Sequence, residues 1–261
     1  PLWYEDTQGP PQEGGTIRFL LYEDPNTLNP ILGWTTIAIQ VINAISEGLT
    51  ENAPDGSFVP ILAAELPTLD NGGVSEDLLT VTWKLKEGVT WSDGEPFTSD
   101  DVLFTWEAAR DAANGSAFST DYELISGIET PDETTVVVTY SAFNAGYLDQ
   151  FPWIIPRHAT GDVTGMRDWE FNRAPIGTGP FKLDEWASGE YLALSGNENY
   201  REEGKPYLEG LTFLVIPDEA VRTAMMIEES AEVMLWAGQE ADEQVAESGV
   251  GTPRIAPGVW V

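Results

Sequence analysis

The sequence predicts a mixed α/β protein, because segments with the periodicity of strands alternate along the chain with segments that have the periodicity of helices. Within a predicted strand at 78–86, residues 80–86 alternate polar and apolar side chains, which is typical of a strand with one buried face. Residues 36–46 place apolar side chains at helical spacing instead. A strand at 211–216, a helix at 219–228 and a strand at 233–236 then favour a βαβ unit with parallel pairing and a right-handed crossover.

The middle of the chain has shorter predicted elements than its two ends. The first strand, residues 16–22, carries apolar side chains on both faces, which predicts burial on both sides. From about residue 51 to residue 165, short strands alternate with turn residues. The further elements predicted in this region are strands at 125–130 and 134–140 and helices at 100–112 and 144–150.

This change of pattern predicts a discontinuous domain organisation. Residues 1–15 are rich in proline, glycine and acidic side chains, and we expect a mobile leader there. Residues 16–50 and 170–261 are expected to form the core of one lobe, into which residues 51–169 are inserted as an α+β subdomain. Within the second core segment, two strands are expected to pair around a two-residue turn at Ser188-Gly189.

The net charge of −32, from 44 acidic and 12 basic residues, limits the partners of this chain. Nucleic-acid phosphates and anionic lipid surfaces would be repelled. The absence of cysteine excludes disulfides and thiolate metal sites, and His158 is the only histidine, so no metal site or cofactor is predicted. The acidic residues are spread along the whole chain, which favours a role in solubility over attraction of cationic solutes.

Residues 83–107 combine the end of a strand, a tight turn and a capped helix. Asp93-Gly94 is a turn pair, because glycine adopts positive φ without steric cost. Thr98 can cap the helix that follows, and the carboxylates of Asp100 and Asp101 are favoured at the positive end of its dipole.

This segment resembles a signature of the family 5 extracellular solute-binding proteins, the peptide, dipeptide, nickel and oligosaccharide receptors of ABC importers. The matching positions are Lys86, Gly88-Val89, Trp91, Asp93-Gly94, Phe97-Thr98 and Asp101-Val102. Further segments resemble family elements in the family's order, and these are residues 24–30, 47–63, 155–158, 175–181 and 199–208. The resemblance covers roughly residues 14–261.

The resemblance implies a lobe of the periplasmic-binding-protein type with an inserted subdomain, and no enzymatic activity. Family members are longer, so it also implies that the second lobe is absent from this chain. It implies an extracytoplasmic location, with a possible lipid anchor in the full-length form. The implied partners are a peptide or other small solute and the membrane permease of an ABC importer.

The same resemblance implies candidate ligand-binding residues. The loop after the first strand is expected to face the cleft between the lobes, and further candidates lie at a helix entry and in a glycine-rich turn. In chain order they are Tyr22, Glu23, Asp24, Pro25, Asn26, Trp34, Gly177, Thr178 and Gly179. Core packing is the competing interpretation for Trp34, and a plain β-turn is the competing interpretation for the glycines. Trp83, Trp91 and Trp106 are expected in the core of the inserted subdomain.

Three other functions remain open from the sequence. An oligosaccharide receptor of the same fold would use some of the ten tryptophans for sugar stacking. A secreted glycoside hydrolase fragment would need a carboxylate pair such as Asp93 and Glu95, but a turn aspartate and a solvated glutamate explain them better. An interaction module would use the fold without transport. No G-x-S-x-G nucleophile elbow is present, and His158 is expected to be a structural or surface residue.

Overall fold

The structure is a computed structural model that describes residues 13–33, 35–160 and 162–250. Its strands are β1 (Thr16–Leu21), β2 (Thr50–Asn52), β3 (Phe58–Pro60), β4 (Thr80–Lys84), β5 (Ile125–Asp132), β6 (Thr135–Tyr140), β7 (Phe181–Ala187), β8 (Tyr191–Gly196), β9 (Gly210–Val215) and β10 (Val233–Met234). Its α-helices are α1 (Thr36–Ile45), α2 (Ser99–Arg110), α3 (Arg157–Thr160), α4 (Glu219–Ile227) and α5 (Gln239–Ser248). Among the described residues, no helix has the length and apolarity needed to cross a bilayer.

A five-stranded mixed sheet in the order β10-β1-β9-β8-β7 joins the first strand of the chain to strands that lie far along it. β1 pairs in parallel with β9 on one side and with β10 on the other. β8 is antiparallel to β9, and β7 is antiparallel to β8, so β7 runs in the same direction as β1. The predicted parallel orientation of β9 and β10 is confirmed, but the two strands do not pair, because β1 lies between them.

The position of β1 agrees with the apolar side chains on both of its faces. The adjacent residues Leu20 and Leu21 point to opposite faces of the sheet, and both are fully buried. On one face, α1 buries its apolar stripe in a cluster with side chains of the sheet such as Leu192 and Phe213. The helix begins at Thr35, whose side chain accepts a hydrogen bond from the Ala38 N–H at 3.2 Å.

A second apolar cluster lies around the three-stranded antiparallel sheet β4-β6-β5 and helix α2. Trp83, Trp91 and Trp106 belong to it and are buried, as the sequence predicts. The predicted start of α2 is also confirmed, since the Thr98 N–H donates to Asp101 Oδ2 at 2.9 Å. Asp101 also accepts from the backbone N–H of Arg157 at 2.9 Å, so one buried carboxylate fixes two segments.

Two local predictions are wrong. The β7–β8 connection has three residues between the paired Ala187 and Tyr191, because Gly189 adopts φ +76° and adds a residue to the turn. The helix expected at 144–150 is only a 3₁₀ turn over Tyr147–Asp149.

Two further predictions concern whole segments. Most of the expected leader, residues 1–12, lies outside the described residues. The division into a core of 16–50 with 170–261 and an insertion of 51–169 stays a prediction.

Candidate functional site

The carboxyl ends of β10, β1 and β9 meet at one edge of the five-stranded sheet, because these neighbouring strands are parallel. These strands end at Leu21, Val215 and Met234, so Tyr22 and Ile216 directly follow β1 and β9, and Trp236 lies two residues beyond β10. We call residues 22–26, 216–218 and 235–238 together the carboxyl edge. Ligands of α/β sheets bind outside the carboxyl ends of the strands, where neighbouring connections diverge, so this edge is the candidate site.

Most of the predicted ligand-binding residues lie at this edge, with different exposure. Tyr22 is half-buried and packs against the apolar cluster under α1. Pro25 is buried, whereas Glu23 and Asn26 are exposed. Among the described residues, no hydrogen bond or ion pair involves Glu23. The side chains of Glu23 and Asn26 are therefore the ones in this loop that remain available to a solute.

Asp24 differs from its neighbours, because its carboxylate is fully engaged within the protein. Oδ1 accepts from Trp186 Nε1 at 2.8 Å, and Oδ2 accepts from Ser188 Oγ at 2.6 Å and from the Gly189 N–H at 3.0 Å. On the other side of this contact, the Arg173 guanidinium carbon lies 3.4 Å from the centre of the Trp186 ring. Asp24 thus ties the loop after β1 to the β7–β8 turn.

Replacing Asp24 by alanine is expected to lower the free energy of unfolding by about 1–3 kcal/mol, because three donors lose a charged acceptor. Urea denaturation measures this change. Glu23→Ala is the matched control, since it removes an adjacent carboxylate without a partner and should change stability by less than about 0.5 kcal/mol. Equal stability of the two variants would contradict the structural role of Asp24.

Gly177, Thr178 and Gly179 lie at the opposite end of the sheet from the carboxyl edge. They precede Phe181, which pairs with Gly196 at the end where β1 and β9 begin. The Gly179 N–H donates to the Ile45 carbonyl at the end of α1 at 2.8 Å, and Thr178 is buried. The structure therefore does not bring these three residues together with the loop after β1. Their contact with a solute, like that of Trp34, which lies outside the described residues, stays a prediction.

A buried ion pair lies at the same end as these glycines. Glu47 follows α1, and its Oε1 accepts from Arg201 Nη1 at 2.5 Å, with 10% of each side chain exposed. Arg201 also lies over the Tyr200 ring, 4.9 Å from its centre. Burial raises the pKa of Glu47, although Arg201 and the nearby Thr178 hydroxyl oppose that change. This pair stabilises the connection between β8 and β9 against α1, and it lies away from the carboxyl edge.

Asp93 and Glu95, the carboxylates considered as a hydrolytic pair, lie in a turn. Asp93 Oδ1 accepts from the Glu95 N–H at 3.2 Å within the turn, and its Oδ2 lies 2.8 Å from His158 Nε2. Glu95 is exposed. In the described ranges, no group of three or more histidine, cysteine or acidic side chains is arranged to hold a metal ion. The geometry supports the turn interpretation of Asp93.

Trp236 is a residue that the sequence analysis missed as a candidate. It is the second residue after β10, its side chain is 55% exposed, and its backbone has φ +59°. Positive φ is rare for a bulky residue. A short apolar strand with a tryptophan close behind it is a visible signal, but only the sheet order shows that this tryptophan lies at the same edge as the loop after β1.

Comparison with known proteins identifies the family of this fold. The sequence model of the bacterial extracellular solute-binding proteins, family 5 (middle region), matches residues 57–258. The chain belongs to this family. Members are transport receptors and not enzymes, so the hydrolase alternative is not supported.

Individual relatives agree with this assignment. Over 225 residues, the chain is 31% identical to the oligopeptide-binding protein AppA of Bacillus subtilis, with 84% of this chain and 40% of AppA covered. The solved structure of AppA in complex with a nonapeptide superposes with a TM-score of 0.78 at 28% identity, over 86% of this chain and 44% of that chain.

Two other solved structures superpose similarly. The ABC transporter substrate-binding protein CtaP of Listeria monocytogenes gives a TM-score of 0.81 at 28% identity, over 91% of this chain and 47% of CtaP. NikZ of Campylobacter jejuni, in complex with Ni(L-His), gives 0.76 at 27% identity, over 84% of this chain and 43% of NikZ. The chain thus spans less than half the length of the relatives it matches.

Proposed function

We propose that this chain is the amino-terminal lobe of an extracytoplasmic receptor that captures oligopeptides or dipeptides for an ABC importer. The observation that carries the proposal is the carboxyl edge of a family 5 fold, where the exposed side chains of Glu23 and Asn26 follow the central parallel strand. The similarity to a protein named for oligopeptide binding supports peptides as the solute class.

In this proposal, the carboxyl edge forms one wall of the binding cleft and a second lobe forms the other. Backbone groups of an extended peptide would pair with backbone at the cleft, which gives affinity that does not depend on the peptide's side chains. Ligand contacts to both walls would stabilise a closed state by hinge motion, and the permease would recognise that state. The full-length protein would act outside the cytoplasm, where a lipid anchor would hold it near the permease.

The first test is native mass spectrometry of the purified chain, alone and after incubation with a pool of synthetic peptides. We expect the chain to retain peptides and not malto-oligosaccharides offered at the same concentration. Retention of an oligosaccharide ladder would replace the peptide receptor by a carbohydrate receptor of the same fold. Retention of neither pool would contradict solute capture by this chain.

Variants of the loop after β1 connect this binding to the carboxyl edge. Glu23→Ala and Asn26→Ala are each expected to weaken peptide binding about tenfold, because each removes an exposed polar partner of the solute. Glu198→Ala is the matched control, since Glu198 pairs with Lys182 near the other end of the sheet. Titration by calorimetry gives the three affinities, and equal loss in all of them would argue against a site at this edge.

A further inference from the structure

Trp236 combines two features that structural residues seldom share. It adopts the left-handed backbone region, at φ +59°, which is unfavourable for a residue with a Cβ atom. Its side chain is 55% exposed, and among the described residues it makes no hydrogen bond, ring contact or cation–π contact. Within the part of the chain that the structure describes, no polar contact and no ring contact of its own side chain therefore offsets the strain in its backbone.

The strained conformation is imposed from both sides of Trp236. Before it, Met234 pairs with Leu20 in β1. After it, the Gly238 N–H donates to Glu219 Oε1 at 2.7 Å, which fixes the chain to the first turn of α4. Strained residues that the surrounding structure holds in this way are concentrated at ligand clamps and other functional sites.

The location of Trp236 is a second argument for a ligand-binding role, independent of its backbone conformation. Trp236 lies two residues beyond the carboxyl end of β10, the strand that pairs with β1, and Tyr22 directly follows the same end of β1. It therefore lies at the same edge of the sheet as the loop that carries the exposed, unpartnered Glu23. An indole beside a free carboxylate suits a flat group, because an aromatic ring or a guanidinium can stack on the indole face.

We infer that Trp236 is a specificity-determining residue of the carboxyl edge, and that it stacks on a flat side chain of the bound peptide, either an aromatic ring or the guanidinium of arginine. The inference rests on the proposed function, since it names which peptides the site prefers. The flanking contacts of Met234 and Gly238 hold the indole at the edge of the sheet, where a solute reaches it.

A comparison of two variants separates this role from a structural one. Trp236→Gly relieves the strain, because glycine adopts positive φ freely, whereas Trp236→Ala retains a Cβ atom and the strain. We expect the melting temperature of the glycine variant to be about 2–4 °C above that of the alanine variant and no lower than that of the wild type. A melting temperature below that of the wild type in both variants would show that the indole packs against the rest of the chain, and would overturn the inference.

A binding experiment then tests the ligand role with two sets of synthetic nonapeptides. One set is rich in Arg, Phe and Tyr, and the other is built from Gly, Ala and Ser. The wild-type chain is expected to bind the first set about tenfold more tightly, and Trp236→Gly is expected to lose that preference. Phe143→Ala is the matched control, because Phe143 is an exposed aromatic (59%) that is not part of the carboxyl edge, and it should keep the preference.

The outcomes distinguish the two proposals. Peptide binding with an unchanged preference in Trp236→Gly would overturn the role of Trp236 and leave the peptide receptor standing. A wild-type chain that binds neither set would overturn the peptide function and the ligand role of Trp236 together.

Discussion

Replacing Gly177 by alanine is expected to destabilise the fold by about 3 kcal/mol or more. A Cβ atom at this position would lie 1.9 Å from the Ile45 carbonyl oxygen and 2.6 Å from the Ile45 carbonyl carbon. Backbone atoms cannot rotate away as a flexible side chain can, so the turn or the end of α1 must shift. That shift would also disturb the hydrogen bond from the Gly179 N–H to the same oxygen. Chemical denaturation measures the loss.

Gly127→Ala is the matched control for this substitution. Gly127 lies in β5, it does not have positive φ, and a Cβ atom there would have no atom within 4 Å. Its replacement should change the free energy of unfolding by less than about 1 kcal/mol. If both alanine variants were equally stable, the close approach between the glycine-rich turn and α1 would not exist in solution.

Replacing Arg201 by alanine is expected to cost about 3–5 kcal/mol of stability, because it leaves the buried Glu47 carboxylate without its charged partner. Arg201 also loses its contact with the Tyr200 ring. Lys205→Ala is the control, since Lys205 pairs with Glu202 through exposed side chains, and such pairs contribute about 0–1 kcal/mol. A small loss in Arg201→Ala would show that water reaches Glu47.

The pH dependence of stability tests the same pair by a separate measurement. Burial raises the pKa of Glu47 above its ordinary value of 4.5. The folded state therefore binds a proton more readily than the unfolded state, and the contribution of Glu47 to stability falls as the pH rises from about 4.5 through the raised pKa. Glu47→Gln removes this titration, so its stability relative to the wild type should improve across that interval. Parallel pH profiles of the two proteins would contradict the raised pKa.

Local features of the fold were predictable because their causes lie within a few residues. Asp218 caps α4 by accepting from the Val221 N–H at 3.0 Å, and both residues are visible in one short segment. The same holds for Thr98 and Asp101 at the start of α2. The prediction of the β7–β8 turn length is wrong because its causes are not local. The φ of Gly189 and the register of two strands decide that length.

The site was predictable only in outline. The resemblance points to residues 22–26, and the structure places them at the carboxyl end of β1. The partners of Asp24 are more than 160 residues away, so no local pattern showed that its carboxylate is occupied. The resemblance also implies that the glycine-rich turn at 177–179 belongs to this site. The sheet register instead places that turn at the other end of β1.

By itself, the sequence determined the alternation of strands and helices, the family and the burial of Trp83, Trp91 and Trp106, since periodicity and motif spacing act over short distances. Only the tertiary structure decided that β1 separates β9 from β10. That strand order puts Trp236 at the same edge of the sheet as Tyr22 although they lie more than 200 positions apart. The physical reason is that two requirements choose the neighbours of a strand: hydrogen bonding between strands and, for β1, burial of both faces. Neither requirement depends on how far apart two strands lie along the chain.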